Sequence, residues 1–151
     1  MIKRYFSEEM SSIWSEDNKV KQWLEVEKAL IQVLEDEKIA PKGLLKKLKS
    51  ISVTPEEVLE REGITNHDLA AFVDVLQNKL GEGSNWIHYG LTSSDVVDTA
   101  SALIIREGID IIKQQMSELI AELKNKAVTE ANTPIIGRTH GIHAEPTSLG
   151  S

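Results

Sequence analysis

The 151-residue chain has 40% hydrophobic and 27% charged residues, a composition that excludes intrinsic disorder and predicts one domain or at most two small ones. Its formal net charge of −7 argues against general nucleic-acid binding, because a phosphate backbone would be repelled. The absence of cysteine excludes disulfide frameworks and thiolate chemistry, and no apolar run approaches the roughly 18 residues of a membrane span. We therefore expect a soluble, untargeted, cytoplasmic protein without a membrane partner.

Helical signals dominate the first 81 residues. Ser7 is a candidate N-cap for a short helix, and apolar residues at three- and four-residue steps predict an amphipathic helix over 20–34. The run 54–57 (Thr-Pro-Glu-Glu) has the form of a capping box with proline at the first helical position, and this helix is expected to end near Gly63. A further amphipathic helix is expected to end at Gly81 in a left-handed conformation.

One long helix is predicted over 94–129, where apolar residues recur without an intervening proline. Its apolar face is unsuited to water, so we expect it to pack in an elongated bundle whose other helices come from missing sequence, other subunits or both. The run 145–149 resembles the entry to another helix that the chain does not complete. These features predict an all-α, truncated chain with a helical amino-terminal domain over 1–92 and an incomplete helical-bundle domain over 93–151.

Two predicted helix starts carry candidate anion-binding residues. Asn66, His67 and Asp68 open one helix, where free backbone N–H groups and the positive end of the helix dipole favour a carboxylate or phosphate. The run 90–95 (Gly-Leu-Thr-Ser-Ser-Asp) has the same character at the start of the long helix. In both places ordinary helix capping, with Asn66 and Asp68 as the caps in the first case, is the competing interpretation.

The densest group of chemically active side chains lies in 137–145. Arg138 can pair bidentately with a carboxylate, and His140 or His143 can donate a proton near neutral pH. His140, His143 and Glu145 are also an alternative set of metal ligands. The sequence has no P-loop, nucleophile elbow or zinc-protease helix motif, so phosphoryl transfer and serine hydrolysis have no support.

Four runs stand in order along the chain. They are Lys3-Arg4-Tyr5, Thr65-Asn66-His67-Asp68, His88-Tyr89-Gly90-Leu91-Thr92-Ser93-Ser94-Asp95 and Gly137-Arg138-Thr139-His140-Gly141-Ile142-His143-Ala144-Glu145-Pro146-Thr147-Ser148. Together these runs resemble the adenylosuccinate lyase family of the fumarase/aspartase superfamily. The last of them looks specific to this branch and separates it from argininosuccinate lyases and fumarases.

The resemblance implies two β-eliminations of purine biosynthesis that need no cofactor. In one, adenylosuccinate gives AMP and fumarate; in the other, the succinyl-carboxamide imidazole ribotide (SAICAR) gives its carboxamide product (AICAR) and fumarate. It also implies a homotetramer whose central helix bundle brings residues of three subunits into each active site. The family's flexible loop, which carries the general-base serine, lies beyond residue 151, so the isolated chain is expected to be inactive.

The resemblance also implies roles for individual residues. His140 is the implied general acid, while His88 and His143 are expected behind the site, outside direct contact with substrate. The implied substrate-binding residues are Arg4 and Tyr5 for the nucleotide, Asn66, His67 and Asp68 along the substrate site, and Thr92 and Ser93 for the dicarboxylate part. No metal is implied.

Another lyase of the fumarase/aspartase superfamily stays open as an alternative, as do two interpretations from other functional classes. The chain is also consistent with a non-catalytic helical module that self-associates through the apolar face of 94–129. A metal-binding helical protein that uses His140 and His143 is the second alternative.

Overall fold

The computed structural model describes residues 3–151, in which a run of helices precedes one β-hairpin. Two compact units divide the chain: the first ends at Gly108, and the second is Ile109–Ser151. The predicted helical architecture is confirmed. The helices are α1 (Glu8–Ile13), α2 (Glu16–Asp36), α3 (Leu44–Leu48), α4 (Pro55–Thr65), α5 (Asp68–Leu80) and α6 (Ser93–Thr129), and the strands are β1 (Pro134–Thr139) and β2 (Ile142–Ser148).

Side-chain caps set where the early helices begin. The Ser7 hydroxyl accepts the Met10 N–H at 3.4 Å, so the predicted cap of α1 is confirmed. At α4 the capping box is also confirmed, because Thr54 accepts the Glu57 N–H and the Glu57 carboxylate accepts the Thr54 N–H at 2.9 Å. The helix ends at Thr65, two residues beyond Gly63, where the sequence placed its end.

The core of the first unit lies where α2 meets α4 and α5. Phe72 of α5 is fully buried, and its ring meets the ring of Trp23 edge to face with centroids 5.5 Å apart. The first turns of α6 add Val96 and Ala100 to the same cluster. These helices therefore share one apolar core. Packing against this core holds the starts of α5 and α6 in place.

Two polar contacts reinforce the packing around this core. The Arg61 guanidinium donates to Asp74 Oδ2 from Nε at 2.9 Å and from Nη2 at 2.7 Å, which ties α4 to α5. The Glu35 carboxylate accepts the Leu45 N–H at 2.7 Å and so holds the start of α3 near the end of α2. Both contacts join elements close in sequence, so they stabilise local helix pairs.

In the second unit, the α6 segment from Ile109 onward carries an exposed apolar face. Its large side chains are 43% to 58% exposed in the single chain. We call these residues the apolar face of α6. They are Ile109, Ile112, Met116, Leu119, Ile120 and Leu123.

The chain from 134 to 148 forms an antiparallel hairpin, so the helix expected at 145–149 is wrong. Thr139 pairs with Ile142 across the two-residue loop His140–Gly141, whose residues have φ of 52° and 77°, as a type I′ turn requires. The register shifts between Ile136 and Arg138. A Cβ on Gly137 would lie 3.1 Å from the Glu145 carbonyl oxygen, which explains a glycine at this close approach.

The failed helix prediction has a local cause. A proline near the start of the run 145–149 is typical of a helix entry, whereas Pro146 pairs with Ile136 in a two-stranded sheet. Proline is tolerated in such a sheet because each strand has an open edge where no N–H is needed. The β-branched pair Ile135 and Ile136, followed by a His-Gly dipeptide suited to positive φ, was the available hairpin signal.

Candidate functional site

The start of α5 is built around His67. Its ring is the N-cap, with Nδ1 accepting the Ala70 N–H at 3.3 Å, and the Thr65 hydroxyl donates to the His67 carbonyl at 3.0 Å. Asn66 instead ends α4 in the left-handed conformation, with φ of 52°. Capping of α5 by Asn66 is therefore wrong, and Asp68 accepts only the N–H of its neighbour Leu69.

One pocket in the first unit collects polar groups from three separate elements. His67 at the start of α5, His88 in the loop before α6, and Ser93 at the start of α6 line it together. The pocket measures about 370 Å³, and the Ser93 hydroxyl lies 3.5 Å from Nε2 of His67. We call it the His67 pocket. Two imidazoles and a hydroxyl at a helix start are groups that can bind an anion and move a proton.

His88 lines this pocket, although the sequence placed it behind the site. Its backbone is left-handed, with φ of 61°, which is uncommon for a residue with a side chain. The Glu27 carboxylate of α2 accepts the His88 N–H at 2.8 Å, and its other oxygen lies 2.8 Å from Nδ1 of the His88 ring. Glu27 is fully buried, whereas the His88 side chain is 21% exposed.

Glu27, the buried partner of His88, is a residue that sequence reasoning missed. The predicted apolar face of α2 included Val20, Trp23, Ile31 and Leu34, and Glu27 falls at the same three- and four-residue spacing between them. A carboxylate on an apolar helix face is the signal that was available, because a buried charge requires a partner. The sequence did not name that partner, because His88 lies 61 residues further along the chain.

Thr92 and Asp95 cap the start of α6. The Asp95 carboxylate accepts two hydrogen bonds from Thr92, one from its backbone N–H at 2.7 Å and one from its hydroxyl at 3.1 Å. These two hydrogen bonds lower the pKa of Asp95 below its ordinary value of 3.8. The capping interpretation therefore accounts for the Thr92 hydroxyl, while Ser93 is the member of the pair that lines the His67 pocket.

The lowered pKa of Asp95 gives a testable pH dependence. Because the folded pKa is below the unfolded one, the carboxylate stabilises the fold above the unfolded value, and this contribution is lost as pH falls through the folded pKa. We expect the difference in unfolding free energy between the wild type and Asp95→Asn to stay constant above about pH 5 and to shrink below it. Urea unfolding at several pH values measures it, and a difference independent of pH contradicts the assignment.

Two predicted nucleotide-binding residues lie in the 3₁₀ turn Lys3–Tyr5. The Arg4 guanidinium carbon is 5.0 Å from the centroid of the Tyr5 ring, and the Tyr5 side chain is 71% exposed. Neither residue lines the His67 pocket.

His140 lies in the second unit, in the turn of the hairpin. Its ring nitrogen Nδ1 is 3.0 Å from the Thr139 hydroxyl, and its left-handed backbone exposes the side chain at the tip. His143 follows on β2, opposite Arg138. Within residues 3–151 no three His, Cys, Asp or Glu side chains lie together as a metal-ligand group, so His140, His143 and Glu145 do not form one there.

None of the helices described in the structure has the length and apolarity that crossing a membrane requires.

Solved structures of other proteins share this fold. The crystal structure of fumarate lyase from Mesorhizobium sp. BNC1 matches with a TM-score of 0.85 and 26% identity over 93% of this chain and 34% of that chain. The 3-carboxy-cis,cis-muconate lactonizing enzyme from Pseudomonas putida has the same fold, with a TM-score of 0.82 and 24% identity over 93% of this chain and 34% of that one. These two structures therefore share the fold of this chain over 34% of their own length.

Sequence comparison gives the family. A family model described as "Lyase" matches residues 6–151, and the chain belongs to this lyase family. Over 99% of its length the chain is 44% identical to the adenylosuccinate lyase of Aquifex aeolicus, 41% to that of Thermotoga maritima and 40% to that of Bacillus subtilis. The resemblance inferred from the four runs is therefore confirmed. The chain spans 35% of the length of each of these relatives.

Proposed function

We propose that this chain supplies the amino-terminal part of an enzyme that eliminates fumarate from adenylosuccinate, leaving AMP, and from SAICAR, leaving AICAR. The observation that carries the proposal is the His67 pocket. His67, His88 and Ser93 line it together, and they come from two of the runs that resemble the adenylosuccinate lyase family. Identities of 40% to 44% with adenylosuccinate lyases support the choice of substrate.

The chemistry of a β-elimination explains why these residue types are needed. A base removes the proton beside a carboxylate, its electrons form the new C=C bond, and the C–N bond breaks. An acid must protonate the departing nitrogen so that a neutral amine leaves. We assign that proton to His140, whose exposed imidazole can carry and donate one.

Substrate carboxylates need positive or hydrogen-bonding surroundings. Ser93 is the first residue of α6, where the helix dipole and unpaired N–H groups favour an anion, and we place the dicarboxylate part of the substrate there with Thr92. The His67 ring lies 3.5 Å from the Ser93 hydroxyl, and we place it beside the dicarboxylate part of the substrate as well. The remaining assignments follow the resemblance: Asn66 and Asp68 line the substrate site, and Arg4 and Tyr5 contact the nucleotide.

The general base is assigned to sequence that follows residue 151 in the family. We therefore expect the 151-residue chain alone to be inactive and an extended chain to be active. The extended chain joins residues 1–151 to the remaining part of the Aquifex aeolicus relative, with which they share 44% identity. Both chains are assayed with adenylosuccinate and with SAICAR. A well-folded extended chain that turns over neither substrate contradicts the proposal.

A second proposal concerns association, because the apolar face of α6 is 43% to 58% exposed in the single chain. We propose that 1–92 form an amino-terminal domain and that 93–151 begin a helical-bundle domain, completed by other copies of the protein, as a homotetramer. Sedimentation velocity of the isolated chain tests self-association. A monomer at high concentration contradicts it, since that face would then remain in water.

A further inference from the structure

We propose that Glu27 is a positioning residue for the candidate site: it fixes the His88 ring so that Nε2, and not Nδ1, serves the His67 pocket. The inference rests on the proposed function only for its catalytic consequence. The juxtaposition itself is structural, because a fully buried carboxylate on α2 holds both the backbone and the ring of a residue that lines the pocket.

The Glu27 carboxylate contacts His88 at two points, the backbone and the ring. Oε2 of Glu27 accepts the His88 N–H, and Oε1 lies 2.8 Å from Nδ1, so backbone and ring are held by a single rigid group. The backbone of His88 is left-handed, a conformation that persists only where its surroundings enforce it. Glu27 supplies that enforcement from inside the core, where its own position is fixed by complete burial.

The contact with the ring also determines its tautomer. An ionised carboxylate only accepts hydrogen bonds, so the contact with Oε1 requires the proton of a neutral His88 ring on Nδ1. Nε2 then carries a free lone pair. Among residues 3–151 the structure records no hydrogen-bond partner for Nε2, which leaves it available to a ligand in the pocket that His88 lines with His67.

The arrangement makes a sharp prediction for Glu27→Gln. The backbone N–H of His88 is a donor in every state, so the glutamine oxygen must face it, and the glutamine NH₂ is left facing Nδ1. The ring then has to accept at Nδ1 and carry its proton on Nε2. The substitution is almost isosteric, so it should invert the tautomer with little change in shape.

Glu107→Gln is the matched control. The Glu107 carboxylate is partly buried and also contacts α2, where it accepts Asn18 Nδ2 and Gln22 Nε2, each at 2.9 Å. It does not line the His67 pocket. Glu107→Gln therefore measures the effect of losing a carboxylate that packs against α2 but contacts no histidine of the His67 pocket.

Long-range ¹H–¹⁵N NMR of the histidine rings tests the proposal on the 151-residue chain, with His88→Gln used to assign the signal. We expect the neutral His88 ring to carry its proton on Nδ1 in the wild type and in Glu107→Gln, and on Nε2 in Glu27→Gln. A wild-type ring protonated on Nε2, or one that averages between both forms, overturns the proposal. The wild-type spectrum decides even if Glu27→Gln does not fold.

Kinetics of the extended chain test the consequence for catalysis. We expect kcat/KM to fall by about tenfold or more in Glu27→Gln, the size typical of lost orienting partners, and to stay near the wild-type value in Glu107→Gln. An inverted tautomer with unchanged kcat/KM overturns the positioning role. If the wild-type extended chain is itself inactive, the proposed function fails while the NMR result still decides whether Glu27 orients His88.

Discussion

Replacing His140 with glutamine in the extended chain is expected to reduce kcat by roughly 10²- to 10⁴-fold, the range that general acid catalysis contributes. The physical reason is that the leaving nitrogen would depart as an unprotonated anion. The hairpin that presents His140 should remain folded, because its register is set by the strand pairing on either side of the turn. Steady-state turnover of adenylosuccinate measures the loss, and circular dichroism checks the fold.

His140→Asn separates chemistry from backbone strain. His140 has φ of 52°, and asparagine tolerates this left-handed conformation, whereas glutamine is less suited to it. Neither replacement can donate a proton as an acid. Similar losses in both variants are therefore expected, and turnover near the wild-type level in either folded variant would remove His140 from the assigned role.

Phe72→Ala is expected to lower the free energy of unfolding of the 151-residue chain by about 3–5 kcal/mol, as truncation of a buried aromatic side chain usually does. Phe72 is fully buried and meets Trp23 edge to face, so the substitution removes apolar burial, an aromatic contact and close packing together. Urea unfolding followed by far-ultraviolet circular dichroism measures the change.

Leu59→Ala is the control for this core substitution. Leu59 lies on α4 but is 70% exposed, so its truncation should change the unfolding free energy by no more than about 0.5 kcal/mol. A loss below about 1 kcal/mol for Phe72→Ala would show that the α2–α5 contact does not carry the stability of the first unit.

Helix starts were predictable because their signals are local. Ser7 and Thr54 bond to backbone groups three residues away, so the residue type and its spacing are both visible in the sequence. The long α6 was predictable for a similar reason, since its apolar residues recur without proline over ten turns of chain.

The hairpin and the Glu27–His88 contact were not predictable in the same way. A short two-stranded sheet has few alternating residues, and at 145–149 the proline of β2 imitates a helix start. Glu27 falls on an apolar helix face, which indicates a buried carboxylate, but its partner depends on how α2 packs against a loop 61 residues later. Sequence spacing carries no information about that packing.

Some of the residues that the sequence singled out line the His67 pocket, but their contacts with one another were not predicted. His67 was expected among substrate-binding residues, but its role as the ring that caps α5 was assigned to Asn66. Thr92 and Ser93 were expected to act alike, whereas Thr92 bonds to Asp95 and Ser93 lines the His67 pocket. Adjacent residues at a helix start point in different directions, and only the structure separates them.

Fumarate release from adenylosuccinate by the extended chain, measured beside the 151-residue chain and the Aquifex aeolicus relative, tests the central claim most directly. We expect the extended chain to turn over within about tenfold of the relative, a difference of about 1.4 kcal/mol in activation free energy, and the 151-residue chain to release no fumarate. An extended chain that folds and assembles like the relative, yet releases no more fumarate than the 151-residue chain, would contradict the account.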